Sequence, residues 1–380
     1  MWAVARAVGL VLLAGASGTA IADDGVDDTA IEIHGFASQG ALWTSANNYL
    51  ANTEDGSFEL AEAGLNFTKP LGDRLRFGLQ LFTRDLGPLG DYQANVDWFQ
   101  LDYRWKDWLG LRAGRVKLAY GLYNDTSDID AAHPVALLPQ SVYSLTNREI
   151  LLAQTGVELY GYKPLGKLGA LDYRGYAGTV HIPFQREGDT GLQRLEIPYV
   201  AGGRVMWETP EVGLRVGVSG LAGMLAGELA FPGVPDLVAY DVRVRLWLAS
   251  IEYITGPFLF AAEYGRGWSR ADASPPLPAA RVSDERMYGL AAYRLNDWLQ
   301  LAAYYSAFYP DRDDRVGRER RQHDAAATVR FDLNTHWLLK LEAHHMRGTA
   351  LLNADLNDGR DPSMLRNQWW MLVAKTTVYF

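Results

Sequence analysis

The sequence predicts an all-β fold, a transmembrane antiparallel β-barrel of about sixteen strands with short turns at one end and long loops at the other. Three observations carry this. Apolar residues recur with period two while charges keep to the other face; an aromatic phrase repeats around short turns; and short and long connections alternate strictly.

The period is plain in individual segments. Leu75, Phe77, Leu79 and Leu81 alternate with Arg76, Gln80 and Arg84, and Phe99, Leu101 and Tyr103 with Gln100, Asp102 and Arg104. Val329 and Phe331 oppose Asp324, Thr328 and Arg330, while Leu339 and Leu341 oppose Lys340, Glu342 and His344. By the same rule Val242, Val244, Leu246 and Leu248 are expected outside, and Asp241, Arg243 and Arg245 inside. A charge on a lipid face near mid-bilayer costs about 2–4 kcal/mol, so the charged face is expected to line a wet lumen.

The repeated phrase runs Tyr103-Arg-Trp-Lys-Asp-Trp108-Leu-Gly-Leu111, again Tyr293-Arg-Leu-Asn-Asp-Trp298-Leu-Gln-Leu301, and again from Phe331 through Trp337 to Leu341. Looser copies bring the tight turns to seven, and eight longer polar segments lie between them. Aromatics at equivalent strand ends suit a girdle at one membrane interface.

The termini add two expectations. Met1 to Ala22 has Arg6, an apolar run and small residues ending Ala20-Ile21-Ala22, which reads as a secretory signal cleaved after Ala22, leaving residues 23–380 as the barrel. At the other end Trp370, Leu372, Ala374, Thr376 and Val378 lead to Phe380 in a strand that runs to the last residue. An aromatic closing strand of this kind resembles the segment of outer-membrane barrels read by the barrel assembly machinery.

Composition narrows the function. Without the signal, 35 basic residues face 45 acidic ones, a poor match to nucleic acid, which needs a concentrated basic face. There is no cysteine, so disulfides do not hold the fold. No G-x-S-x-G or H-E-x-x-H is present, and His344-His345 places neighbouring rings on opposite strand faces, so neither an enzyme, a metal site nor a cofactor is expected.

Seven arginines fall on positions read as facing the lumen: Arg76, Arg112, Arg174, Arg204, Arg215, Arg243 and Arg245. Two readings stay open. They pair with Asp102, Glu158, Asp172, Glu208 and Glu263 to tile the wall, or they form a cationic ladder that draws anions. The third long loop, Gly121 to Arg148, is about twice the length of its neighbours and carries Asp125, Asp128 and Asp130. A long irregular segment in a compact fold is usually functional or disordered.

Gly114-Arg-Val-Lys-Leu-Ala-Tyr-Gly-Leu-Tyr-Asn124 resembles a segment of the phosphate-selective porins O and P, and Ile33-His-Gly-Phe-Ala-Ser-Gln-Gly40 resembles the opening strand of the wider trimeric porin superfamily. The resemblance implies a homotrimeric, sixteen-stranded, water-filled channel in the outer membrane, in contact with lipid and lipopolysaccharide. It also implies that residues 121–148 fold inward as a constriction loop, with Asp125, Asp128 and Asp130 across the eyelet from the arginines. Phosphate specificity does not carry over, because this loop is acidic and has no lysine. The expected function is passive diffusion of small hydrophilic solutes and ions, leaning towards anions. The alternatives are a channel specific for a dicarboxylate, phosphate or sugar and, more remotely, an enzyme built on a barrel.

Overall fold

The computed structural model describes residues 30–182, 191–233, 236–273 and 278–380; the expected signal lies outside these residues. Sixteen antiparallel strands close into one barrel: β1 (Glu32–Thr44), β2 (Ala61–Pro70), β3 (Leu75–Asp85), β4 (Asn95–Lys106), β5 (Leu109–Lys117), β6 (Ala153–Pro164), β7 (Ala170–Val180), β8 (Gly191–Glu208), β9 (Leu214–Ala230), β10 (Val238–Thr255), β11 (Phe258–Ala273), β12 (Ala280–Arg294), β13 (Leu299–Tyr309), β14 (Gln322–Asn334), β15 (Trp337–Gly348) and β16 (Gln368–Tyr379). Each strand pairs with its neighbours in sequence. The seam is closed by β1 on β16, from Phe36 opposite Tyr379 to Thr44 opposite Met371, and Phe380 and Gly35 exchange backbone hydrogen bonds of 3.0 and 3.1 Å. Closure leaves no sheet edge, which is the condition for strands to stand in lipid.

Short turns and long loops alternate as the sequence predicts. The strands are less uniform than expected. β8 and β10 each span 18 residues, and β8 begins at Gly191, inside a segment read from sequence as loop. Outside, the barrel presents an apolar surface: Leu159, Ile251, Leu301, Leu341, Leu372 and Val378 are all exposed. Soluble proteins rarely show an apolar patch of more than a few hundred Å². At the tight-turn end the repeated aromatics meet in pairs, Trp105 with Trp108, Phe258 with Tyr293 and Trp298 with Phe331. Among the described residues no helix is long and apolar enough to cross a membrane.

The register corrects one set of expectations. Across β10 and β11, Glu252 faces Ala261, Ser250 faces Glu263 and Leu248 faces Gly265, all turned inward, and neither pairing of β10 contains a bulge. Arg243 and Arg245 have the opposite parity, shared with Ile251, so their side chains leave the barrel. Leu246 and Leu248, expected outside, are buried in the lumen beneath Tyr120 and Leu122. The rule that apolar residues face lipid fails on β10 because a folded loop supplies a second apolar surface inside.

The motif segment owes its course to two glycines. Gly114 sits in β5 at φ +132°, where a Cβ would lie 2.4 Å from the Phe99 carbonyl oxygen. Gly121, at φ +58°, starts the inward course of the loop, and a Cβ there would meet the Tyr143 hydroxyl and the Glu263 carboxylate. We predict that Gly114→Ala costs about 1–3 kcal/mol through backbone strain, read as a lower urea midpoint in detergent micelles. An unchanged midpoint would show that β4 and β5 adjust freely at this point.

Candidate functional site

The segment between β5 and β6, residues 118–152, enters the lumen as the resemblance implies. Residues 133–143 are buried without exception. Tyr120, Leu122, Tyr123, Val135, Leu138, Val142 and Tyr143 form an apolar cluster with Leu246, Leu248, Tyr288, Leu290 and Tyr304 of the wall. A loop that leaves water must satisfy its backbone polar groups elsewhere. Here the strands supply the partners. Glu263 on β11 accepts from Leu122 N at 3.0 Å and from the Tyr143 hydroxyl, and Ser219 on β9 accepts from Gly121 N at 2.9 Å. Glu342 on β15 accepts from Ala136 N and Leu137 N at 2.7 and 3.0 Å. Arg330 on β14 donates to the carbonyls of Ala131 and His133, both at 2.9 Å.

The loop carboxylates complete the attachment, on opposite walls. Asp125 bridges Arg174 at 2.7 Å and Arg204 at 2.9 Å, on β7 and β8. Asp128 pairs with Lys117 at 2.7 Å and accepts from Gln80 at 2.7 Å. Asp130 reaches the far side, where it meets Lys375 at 3.0 Å and Thr377 at 2.6 Å on β16. Lys340 donates to the Asp130 and Val135 carbonyls, each at 2.7 Å. At the return, Arg148 makes a bidentate pair with Asp97 at 2.8 and 2.9 Å. The expectation that these acids stand across a gap from the arginines is therefore corrected: Asp125 touches two of them.

These contacts fix the charge states of the loop. Burial disfavours the Asp125 carboxylate, but Arg174 and Arg204 outweigh it and hold its carboxyl well below the usual range. Burial likewise opposes ionisation of Asp130, and Lys375 with Lys340 brings it down to about 2. Burial, helped by Lys340, lowers His133 to about 4, so its ring is neutral at pH 7.

The sequence-predicted arginines divide in two. Arg76, Arg112, Arg174 and Arg204 come together on the inner wall of β3 to β8: Arg112 bridges Asp102 and Glu158, at 3.2 and 2.9 Å, Arg76 pairs with Asp102, Arg174 with Glu158, and Arg204 joins Arg174 through Asp125. Arg215 faces inward on β9 and pairs with Glu252 at 2.7 Å. Arg243 and Arg245 do not belong to this group. The partners expected from sequence are mostly present, since Asp102, Glu158 and Asp172 bind wall arginines. Glu263 instead holds the loop, and Glu208 accepts from Tyr162 at 2.8 Å. His344 turns inward to Asp324 and Glu342, at 3.0 and 2.9 Å, while His345 lies outside, tilted against the Trp370 ring.

Beneath the loop, towards the tight turns, lies a cavity of about 620 Å³. Arg76, Arg104, Arg112, Lys117, Arg174 and Arg204 line it against three carboxylates, Asp107, Asp125 and Asp172, with Trp98, Tyr160 and Tyr162 among them. Thr126 and Ile129 of the loop form its roof. Above the loop, Leu50 and Leu352 from the first and last long loops pack on Ala136 and Leu137. Those two loops are clasped by Asn47, which donates to the Arg366 carbonyl and accepts from Arg366 N at 2.8 and 2.9 Å. The lumen thus has a cationic vestibule on one side of the loop and an apolar cover on the other.

Several known structures that superpose on this barrel are outer-membrane proteins. OmpT of Vibrio cholerae superposes with a TM-score of 0.59 at 13% identity, over 95% of this chain and 100% of its own. The anion-selective porin from Comamonas acidovorans gives 0.57 at 11%, over 92% and 99%. The outer membrane channel DcaP of Acinetobacter baumannii gives 0.54 at 11%, over 95% and 100%. At such identities the likeness is one of fold. No protein-family model and no curated protein matches the sequence.

Residues that the sequence did not single out as site residues, Glu263, Glu342, Arg330, Lys340 and Lys375, prove to hold the loop. Lys375 keeps Glu62 as a second partner at 3.0 Å, so neutralising Asp130 removes its charge-assisted hydrogen bonds to Lys375 and Thr377, worth about 1.5–3 kcal/mol each. Asp130→Asn should therefore release the loop between Asp128 and Val135, seen as faster amide hydrogen exchange there with the strands unchanged. Acid should do the same to the parent protein. The folded carboxyl lies below the unfolded value of about 3.9, so its stabilisation is complete above that pH and fades as pH falls towards 2. Loop exchange in Asp130→Asn that matches the parent at pH 7 would show that Asp130 anchors nothing.

Proposed function

We propose that this chain is an outer-membrane channel that passes small hydrophilic solutes and ions by passive diffusion, with a preference for anions. The observation that carries the proposal is the cationic vestibule beneath an inward loop, in a closed barrel with an apolar exterior. A wall with an excess of one sign raises the local concentration of counter-charged solute. Six basic groups line the cavity against three carboxylates. Asp102, Glu158 and Asp128 just behind the lining pair with Arg76, Arg112, Arg174 and Lys117, so the excess felt in the cavity lies mainly with Arg104 and the half-exposed Arg76. The excess is modest, because salt bridges neutralise much of it, so a modest preference follows. The anion-selective porin among the structural neighbours is in keeping with this.

The proposal places the tight turns in the periplasm and the long loops outside the cell. It includes a homotrimer, a state in which OmpT of Vibrio cholerae is described. It also includes reading of the Phe380 strand by the assembly machinery, with Phe380 exposed at the seam where such a reader would reach it.

Single-channel conductance in planar bilayers, with the reversal potential across a KCl gradient, tests the selectivity. The parent channel should be mildly anion-selective. Arg76→Ser with Arg104→Ser should shift the reversal potential towards cations, whereas Arg243→Ser with Arg245→Ser should leave it where it is. A strongly cation-selective parent would refute the anion preference. Deleting Asp128 to Gln140 should raise conductance. On intact cells, tags at Asn52 or Asn357 should be labelled by antibody and tags at Asp107 or Asp297 should not; labelling at Asp297 would invert the topology.

A further inference from the structure

Arg243 and Arg245 leave the barrel, and what they meet outside is informative. β10 and β11 turn at Gly256, and Arg245 lies ten residues before Thr255, the last residue of β10. At about 3.3 Å per residue and a tilt of about 40° that is a height of roughly 25 Å, the height of the apolar band of such barrels. The outer face below it is apolar or aromatic: Trp247, Ala249, Ile251 and Tyr253. From Arg245 upwards the character changes. Arg245 stands opposite Trp268, Arg243 opposite Arg270, and Arg270 opposite Arg281 across β10, β11 and β12. Arg266, one outward position below Trp268, stacks on its ring with 5.1 Å between guanidinium carbon and centroid.

The cations outnumber the acids available to them. Arg243 and Arg270 share Asp272, at 3.2 and 3.0 Å. Asp241 is the other carboxylate on this face of β10, and Glu285 is taken by Arg315. Among the described residues Arg245 and Arg281 have no carboxylate within ion-pair distance, and the buried Nε of Arg266 has no hydrogen-bond acceptor. Five arginines against Asp241 and Asp272 leave a net positive patch. It stands outside the barrel, at the upper edge of a lipid-facing surface, with Trp247, Tyr264 and Trp268 beside it. Guanidinium groups match phosphate bidentately, and aromatics sit at headgroup level.

We infer that this patch on β10 to β12 is a binding site for the phosphorylated headgroup of an outer-leaflet glycolipid, with the acyl chains lying along Ile251 and Tyr253. The inference rests on the outer-membrane reading, which sets the long-loop end of the barrel in the outer leaflet. The occupant follows from charge and height together: an anionic group fixed to acyl chains presents its phosphates where the apolar band ends. A free phosphate has no reason to prefer that level.

The test is native mass spectrometry of the full barrel in detergent, titrated with bisphosphorylated lipid A, with dephosphorylated lipid A and with inorganic phosphate. The parent should retain bisphosphorylated lipid A through the gas-phase release of detergent. Arg243→Ser with Arg245→Ser and Arg270→Ser should weaken retention by on the order of a hundredfold, since each basic group near a headgroup contributes about 1 kcal/mol. The corresponding lysine variants should recover most of it. Each variant is first checked for the barrel's resistance to unfolding in cold SDS. The triple lysine variant, which keeps the charge, serves as the folding-neutral arm if the serine variant fails that check. Equal retention of dephosphorylated lipid A would overturn the inference, because the contact would then be acyl chain alone. Displacement by inorganic phosphate at matching concentration would assign the site to the free ion instead. Failure of the parent to insert into bilayers would reject the membrane reading itself, a result separate from any change in lipid retention.

Discussion

A segment of some thirty residues that enters the lumen of a closed barrel has to exchange its hydration for partners on the wall, and the rest of the lumen is arranged around that exchange. Asp125 and Asp130 find cations on opposite sides, Arg174 and Arg204 on β7 and β8 and Lys375 on β16. Between them Glu263, Glu342 and Arg330 meet the backbone groups that a strand or helix would have satisfied internally. The loop is irregular in shape because its hydrogen bonds run outward to the wall. The wall holds it for that reason, and where an anchor pairs two buried charges, as Asp130 does with Lys375, losing one partner costs more than forming the pair gains.

Under the proposed channel function, the anchoring shapes what a solute meets. Arginines engaged with Asp125 and Glu158 keep their position but lose much of their long-range field, since charges beyond about 8–10 Å are screened in physiological salt. Selectivity then rests on the groups least neutralised, and Arg76, whose side chain is 44% exposed, is the most open of the paired wall arginines. The two readings of the arginine set, paired wall and cationic ladder, describe the same residues at different depths. Arg112 and Arg174 are wall structure. Arg76 and Arg104 line the open cavity beneath the loop.

The fold was legible because a barrel writes itself into sequence at every strand: parity, aromatic strand ends and turn spacing all repeat. Strand number and connection order followed from those signals alone. Parity failed on β10, where the apolar run Val242 to Leu248 looked like a lipid face. Its lower half, Leu246 and Leu248, serves instead as the floor for Tyr120 and Leu122, residues more than a hundred positions away. The site was legible only in composition. Lys340, Glu342 and His344 could be placed inside, but no local pattern says that Glu342 caps Ala136, 206 residues distant. Nor does one say that the acid opposite Arg204 is Asp125, in contact with it. A loop's partners are set by the closed barrel, which brings strands from both ends of the chain around it.

The central claim is that the loop occupies the lumen in the working channel, held against the wall. The chain has no cysteine, which permits a clean test. The hydroxyls of Ser141 in the loop and Ser306 on β13 lie 2.7 Å apart. With Ser141→Cys and Ser306→Cys, the account predicts that a disulfide forms in the membrane-inserted protein under mild oxidation, and that single-channel conductance is the same before and after reduction. A disulfide that never forms, or a conductance that rises when it is reduced, would contradict it, because the loop would then spend its working time away from the wall.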